Sequence, residues 1–147
     1  MKPKKHLLKK ITVIPVILLI CMLIASGSGP ELIISALVSQ RTDIMNEYFC
    51  GQIIYKDAAD RIKNVETGRL LEEDLDAMKS FFQTDIEEIA EYKITKVDIT
   101  DKDETFICAV VTVDWQVYGT DGSKSIEEIY SVIAQKYENS YKLVQFF

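Results

Sequence analysis

The spacing of apolar positions changes twice along the chain. From Ile11 to Ala25 it is nearly continuous: ten of these fifteen residues are Ile, Leu or Val and none is charged, a composition that favours insertion into a bilayer. At 1.5 Å per residue this run covers about 22 Å of a hydrocarbon core about 30 Å thick; continued through Gly29 it reaches about 28 Å, with Lys9 and Lys10 able to snorkel to the interface. A helical period follows. Ile44 and Tyr48, Met45 and Phe49, and Phe49 and Ile53 stand four apart, which predicts a helix over 31–54. "KDAADRIKNVETG" predicts a second, shorter helix with Asp57 as its N-cap and Gly68 near its stop. "LLEEDLDAMKSFF" places Leu71, Leu75, Met78 and Phe82 on one face of a third.

The period then becomes two. Thr84 with Glu87 predicts a capping box for one last helical turn, and "EYKITKVDIT" a strand. In "ETFICAVVTVDWQVYG" the residues Ile107, Ala109, Val111, Val113, Trp115 and Val117 point one way and face the core. Phe106, Cys108 and Val110 oppose them before Thr112, Asp114 and Gln116 turn that face polar. The strand is therefore expected to be covered on both sides at one end and wet at the other. A turn at Asp121-Gly122 leads into "IEEIYSVIAQKY", and Glu138-Asn139-Ser140 turns into "YKLVQFF". Three helices followed by four strands joined by short turns predict an α+β domain, with helices packed on one face of a four-stranded antiparallel sheet and an N-terminal transmembrane helix before them.

Charge sharpens this division. The first thirty residues hold no acid but five lysines, Lys2, Lys4, Lys5, Lys9 and Lys10, whereas the twelve bases and twenty-three acids after Pro30 leave that part at −11, against −6 for the whole. A basic tail stays in the cytoplasm. Residues 1–10 then form a cytoplasmic basic tail, 11–29 a membrane anchor or signal segment, and 30–147 an extracytoplasmic domain. Ala25-Ser26-Gly27 fits signal-peptidase cleavage after Gly27, which would give a secreted domain; "ELIISALVSQR" resumes apolar character at once, which favours an uncleaved anchor. Cys21 matches a lipobox poorly, because Ile20 stands where that motif needs a small residue. About 117 residues beyond Pro30 suffice for one core and not two.

The sole histidine is His6, so the exported part has no His-based triad or His metal cluster. An exported Cys50–Cys108 pair could form a disulfide, although both lie in apolar stretches where a cysteine behaves as a small hydrophobe. Asp101, Asp103 and Glu104 share a loop, but Phe106 occupies the place of an EF-hand glycine, so a surface turn is the better reading. Glu72, Glu73, Asp74 and Asp76 fall in the first turns of a helix, where they complement its dipole. Strong acidity argues against nucleic acid as a partner. Trp115 is expected to pack in the core, while Tyr118, Tyr130, Tyr137 and Tyr141, near hairpin ends, are candidates for a partner surface. No cofactor is indicated.

The element order, "YFCGQIIYKDAADRI" at its start and the long Trp-bearing strand near its end resemble the cystatin-like roll of the nuclear-transport-factor-two-like superfamily. The resemblance spans residues 31–147 and implies a strongly curved sheet around a cone. The superfamily's enzymes use a carboxylate and a tyrosine inside that cone; by type the candidates are Asp114, Tyr118 and Tyr130. Asp114, however, lies on the strand face opposite Trp115 and reads as solvated. Partner or pocket residues are expected among Trp115, Tyr118, Tyr130, Tyr141 and Phe82. A basic tail, one membrane segment and one such domain also resemble the bitopic assembly subunits of type IV secretion and conjugation machines. The resulting expectation is a membrane-anchored, non-enzymatic interaction or assembly module with protein partners, including copies of itself. The alternatives are a small-ligand-binding or enzymatic roll and a secreted domain.

Overall fold

The computed structural model describes residues 29–81, 88–119 and 122–147. The basic tail, the apolar run through residue 28, Phe82, the Thr84–Glu87 capping box and Asp121 lie outside the described residues. Among the described residues no helix is long and apolar enough to cross a membrane.

Three helices precede four strands: α1 Pro30–Phe49, α2 Tyr55–Ile62, α3 Gly68–Ser80, then β1 Glu88–Lys102, β2 Phe106–Gly119, β3 Gly122–Tyr137 and β4 Ser140–Phe146. Pro30, with no N–H to lose, opens α1. That helix ends at Phe49, five residues before the expected 54. Gly51, with φ of 69°, takes the left-handed conformation and donates its N–H to the Tyr48 carbonyl, after which Ile54 is exposed. Two helix boundaries are also corrected. Asp57 does not cap α2, whose N-cap is Ile54 without a side-chain bond, and Gly68 (φ 64°) is the first residue of α3 rather than the stop of α2.

The sheet order is β1-β2-β3-β4, antiparallel throughout. Three register shifts along β1, at Ile89/Glu91, Ile94/Lys96 and Ile99/Asp101, are places where an extra residue bends the strand. The period-two reading of β2 holds: Ile107, Ala109, Val111, Val113 and Val117 are buried and Trp115 packs against them. From the helices Ile34, Val38, Ile62 and Met78 meet this face, with α1 lying against β1 and α3 against β4.

The opposite face differs from expectation. Phe106, Cys108 and Val110 are only half-buried, because the helices meet the sheet on its other side and no described element covers this one. Cross-strand pairing places Ile133 beside Cys108, Ser131 beside Val110 and Ile129 beside Thr112. Ser131 also exchanges both backbone hydrogen bonds with Phe147. The middle of the bare face is thus apolar, with Ile129 and Phe147 each 66% exposed.

Candidate functional site

Two features qualify as sites: an ionic cluster between the helices and β4, and the bare face of the sheet.

The cluster begins with a helical pattern. Arg41 follows Ile34 by seven positions and Leu37 by four, and Asp74 stands midway between Leu70 and Met78, four from each. Both charges therefore sit on the buried stripes of α1 and α3. Asp74, expected with Glu72 and Glu73 among the solvated acids of a first turn, is buried. Between them lies Glu66, at 0% exposure. It is held there by the backbone: the Glu66 N–H donates to Ile62 O, the Thr67 N–H to Leu143 O at 3.0 Å, and the Leu143 N–H to Val65 O at 2.8 Å. These bonds form a short parallel bridge between the 63–67 turn and β4.

Arg41 Nε lies 2.7 Å from Glu66 Oε1, and its NH2 lies 2.6 Å from Asp74 Oδ2. The attraction is ionic more than directional, since neither Nε nor these two oxygens has an aligned hydrogen bond among the described residues. The guanidinium also stacks on Phe146, 4.4 Å from the ring centroid. Burial, reinforced by the neighbouring Asp74 and opposed by Arg41, pushes the Glu66 carboxyl up to about 8.

An aromatic row runs from this cluster across every strand. Phe146 stacks on Tyr130 (4.6 Å), Tyr130 meets Trp115 edge-on (6.3 Å), and Trp115 meets Tyr92 (5.8 Å). Two of its hydroxyls tie the row down: Tyr92, at one end, donates to Ser39 O and Asp43 Oδ1, and Tyr130, within the row, donates to Glu128. Burial pushes both phenols up to about 12. The Trp115 indole N–H is buried and lacks a hydrogen-bond partner among the described residues.

Of the sequence-derived candidates, Trp115 and Tyr130 come together in this row. Tyr141 is half-buried against the same core, but Tyr118, 56% exposed, stands on the other face of the sheet. The tyrosines therefore form no single cluster. Asp114 is half-buried on the bare face, opposite Glu127 and Lys93, separated by the sheet from Trp115 and Tyr130. Cys50 and Cys108 are not joined to each other; the Cys50 thiol donates to Asn46 Oδ1 at 3.5 Å. Asp103 Oδ1 accepts hydrogen bonds from the Thr105 N–H, the Thr105 hydroxyl and the Phe106 N–H, so this carboxylate builds the turn between β1 and β2.

Comparison with protein-family models, with curated proteins and with solved structures finds no match.

Proposed function

We propose that this chain is a membrane-tethered docking domain: residues 11–29 anchor it, residues 1–10 stay in the cytoplasm, and residues 30–147 form a cystatin-like roll that binds a protein partner outside. The observation that carries this reading is the bare sheet face. A half-buried apolar centre of Cys108, Val110, Ile133 and the projecting Ile129 and Phe147 is the kind of surface that a partner covers. Asp98, Asp101, Asp114 and Glu127 border it together with Lys93 and Lys96, the latter paired with Asp98; the excess of acids disfavours an anionic lipid surface as the occupant. Tethering and docking need no turnover. An envelope assembly of the secretion or conjugation type fits this architecture.

The test is a photo-crosslinking residue at Ile129, compared with one at Glu72 on the exposed side of α3, in membranes of the native host. A discrete adduct from Ile129 alone, abolished by Val110→Asp, is expected. Equal labelling from both positions, or none from Ile129, would overturn the reading.

One observation favours a second reading, a ligand-binding or enzymatic roll: a fully buried carboxylate, Glu66, contacts Arg41, whose guanidinium stacks on the Phe146 end of the row that holds Tyr130 and Trp115. Arg41 and Asp74 already occupy its surroundings, which makes it a structural group first.

A further inference from the structure

The interior of this domain holds one guanidinium against two carboxylates, Glu66 and Asp74, at contact distance. An uncompensated charge removed from water is far more costly than a proton taken up to cancel it. One further positive charge therefore has to accompany the cluster into the interior, and the groups around it do not supply one. From α1 the facing group is Arg41 itself, and from α3 it is Asp74. Tyr130 from β3 is a neutral phenol committed to Glu128. From β4, Phe146 presents a ring, and the Lys142 ammonium donates to the Lys63 carbonyl, 2.6 Å away. Arg61 from α2 is paired with Glu47. Among the described residues no three His, Cys, Asp or Glu side chains are arranged to hold a metal ion.

We propose that Arg41, Glu66 and Asp74 form a proton-binding latch: one proton shared by the two carboxylates lets α1, α3 and the 63–67 turn close on β4, and its loss releases that strand. The strand is well placed to respond. The Glu66 backbone bridges to Leu143, and Phe146 lies under Arg41. Phe147, the next residue, sits on the bare face beside Ser131. Loss of the proton leaves two buried anions facing one cation, and the cheapest relief is for water to enter where the turn meets the short edge strand. The latch stands whether or not the bare face docks a partner.

The experiment is amide hydrogen exchange on the full chain in detergent micelles between about pH 6 and about pH 9, with each rate divided by its intrinsic value. The Thr67 and Leu143 amides report the bridge, and amides paired between β1 and β2 serve as the internal reference. Protection of the bridge amides is expected to fall by about tenfold or more across this range in the native chain; the reference amides stay better protected at every pH and fall no further than the bridge, since local and global opening both free the same carboxyl. Glu66→Gln, which has no proton to lose, should show no such fall. Asp74→Asn serves as a second variant should the first misfold: it leaves Glu66 alone with Arg41 and should also flatten the profile. Protection independent of pH in the native chain, or an equal fall in both folded variants, overturns the proposal. Recovery of protection at high pH on adding sodium or potassium chloride, absent with an organic-cation salt, would show that a metal cation and not a proton fills the site, and would overturn it as well.

Discussion

Replacing Arg41 by Met tests whether the cluster holds the helical layer to β4. Met preserves length and apolar bulk but removes the charge from two carboxylates at 2.6 and 2.7 Å and from the face of Phe146. Breaking a buried ion pair from one side costs about 3–5 kcal/mol, and a desolvated cation on an aromatic face contributes about 2 kcal/mol. Part of this is recovered because Glu66, with the opposing guanidinium gone, holds its proton more firmly. The net loss is then about 4 kcal/mol near neutral pH, in a domain whose total stability is about 5–15 kcal/mol. At roughly 4 °C per kcal/mol for a domain of this size, the melting temperature should fall by about 15 °C.

The pH dependence follows from Glu66. Its folded pKa is raised from 4.5 to about 8, so the stability that its proton supports is fully present below about 4.5 and is lost as pH rises through about 8, by up to about 1.4 kcal/mol per pH unit. The gap between native chain and Arg41→Met should therefore be narrowest near pH 4, where Glu66 is protonated in either protein, and widest above neutrality. Thermal unfolding followed by circular dichroism in micelles, at several pH values, measures this. The triple variant Arg41→Met, Glu66→Leu, Asp74→Leu should regain most of the loss, because an apolar replacement leaves no charge stranded. If Arg41→Met stayed within about 1 kcal/mol of the native chain at neutral pH, the cluster would be worth no more than a surface pair and the reasoning would fail.

Val110 and Val111 are neighbours on opposite faces of β2, one half-buried and one fully buried. Val111→Asp should abolish the cooperative unfolding transition, while Val110→Asp should cost less than about 1 kcal/mol; equal effects would mean that the second face is also covered. Tyr48→Phe removes a hydroxyl that donates to the Met78 carbonyl at 2.7 Å and should cost about 1 kcal/mol in chemical denaturation, with a null result showing that water replaces it. The intact mass of the mature protein in carbonate-washed membranes of its host should be that of the full chain, and a mass beginning at Ser28 in the supernatant would replace the anchor by a cleaved signal.

The strands and the third helix were legible because their periodicity is local. Ile107 through Val117 alternate without a break, and Leu71, Leu75 and Met78 repeat at helical spacing. The helix ends were less so, since only the left-handed turn at Gly51 separates Phe49 from Ile53, which keeps the four-residue spacing outside the helix. The ionic cluster left half a signal. Arg41 and Asp74 each interrupt an apolar stripe at an inward position, and that alone marks them as buried charges requiring a partner. Reading "EEDLD" as a solvated first turn missed this for Asp74. Glu66 left none: it lies in a turn, and what buries it is a backbone bridge to Leu143, seventy-seven residues further along.

The proposed latch and the bare face meet at one point in the chain. In a strand successive side chains leave on opposite sides, so Phe146 reaches in to lie under Arg41 while Phe147, hydrogen-bonded to Ser131 through its backbone, extends the apolar centre of the outer face. β4 is also the shortest strand and an edge of the sheet, held along one side by β3 and at its middle by the bridge to the 63–67 turn. An edge held by few bonds is where local opening costs least. A change of charge among Arg41, Glu66 and Asp74 therefore acts on the strand least able to resist it, and its displacement would be felt on the outer face at the very next residue. If docking at Ile129 weakens with rising pH in the native chain and does not in Glu66→Gln, the two sites share β4 as their moving part; if docking is indifferent to pH while the bridge amides still open, they are separate devices on one sheet.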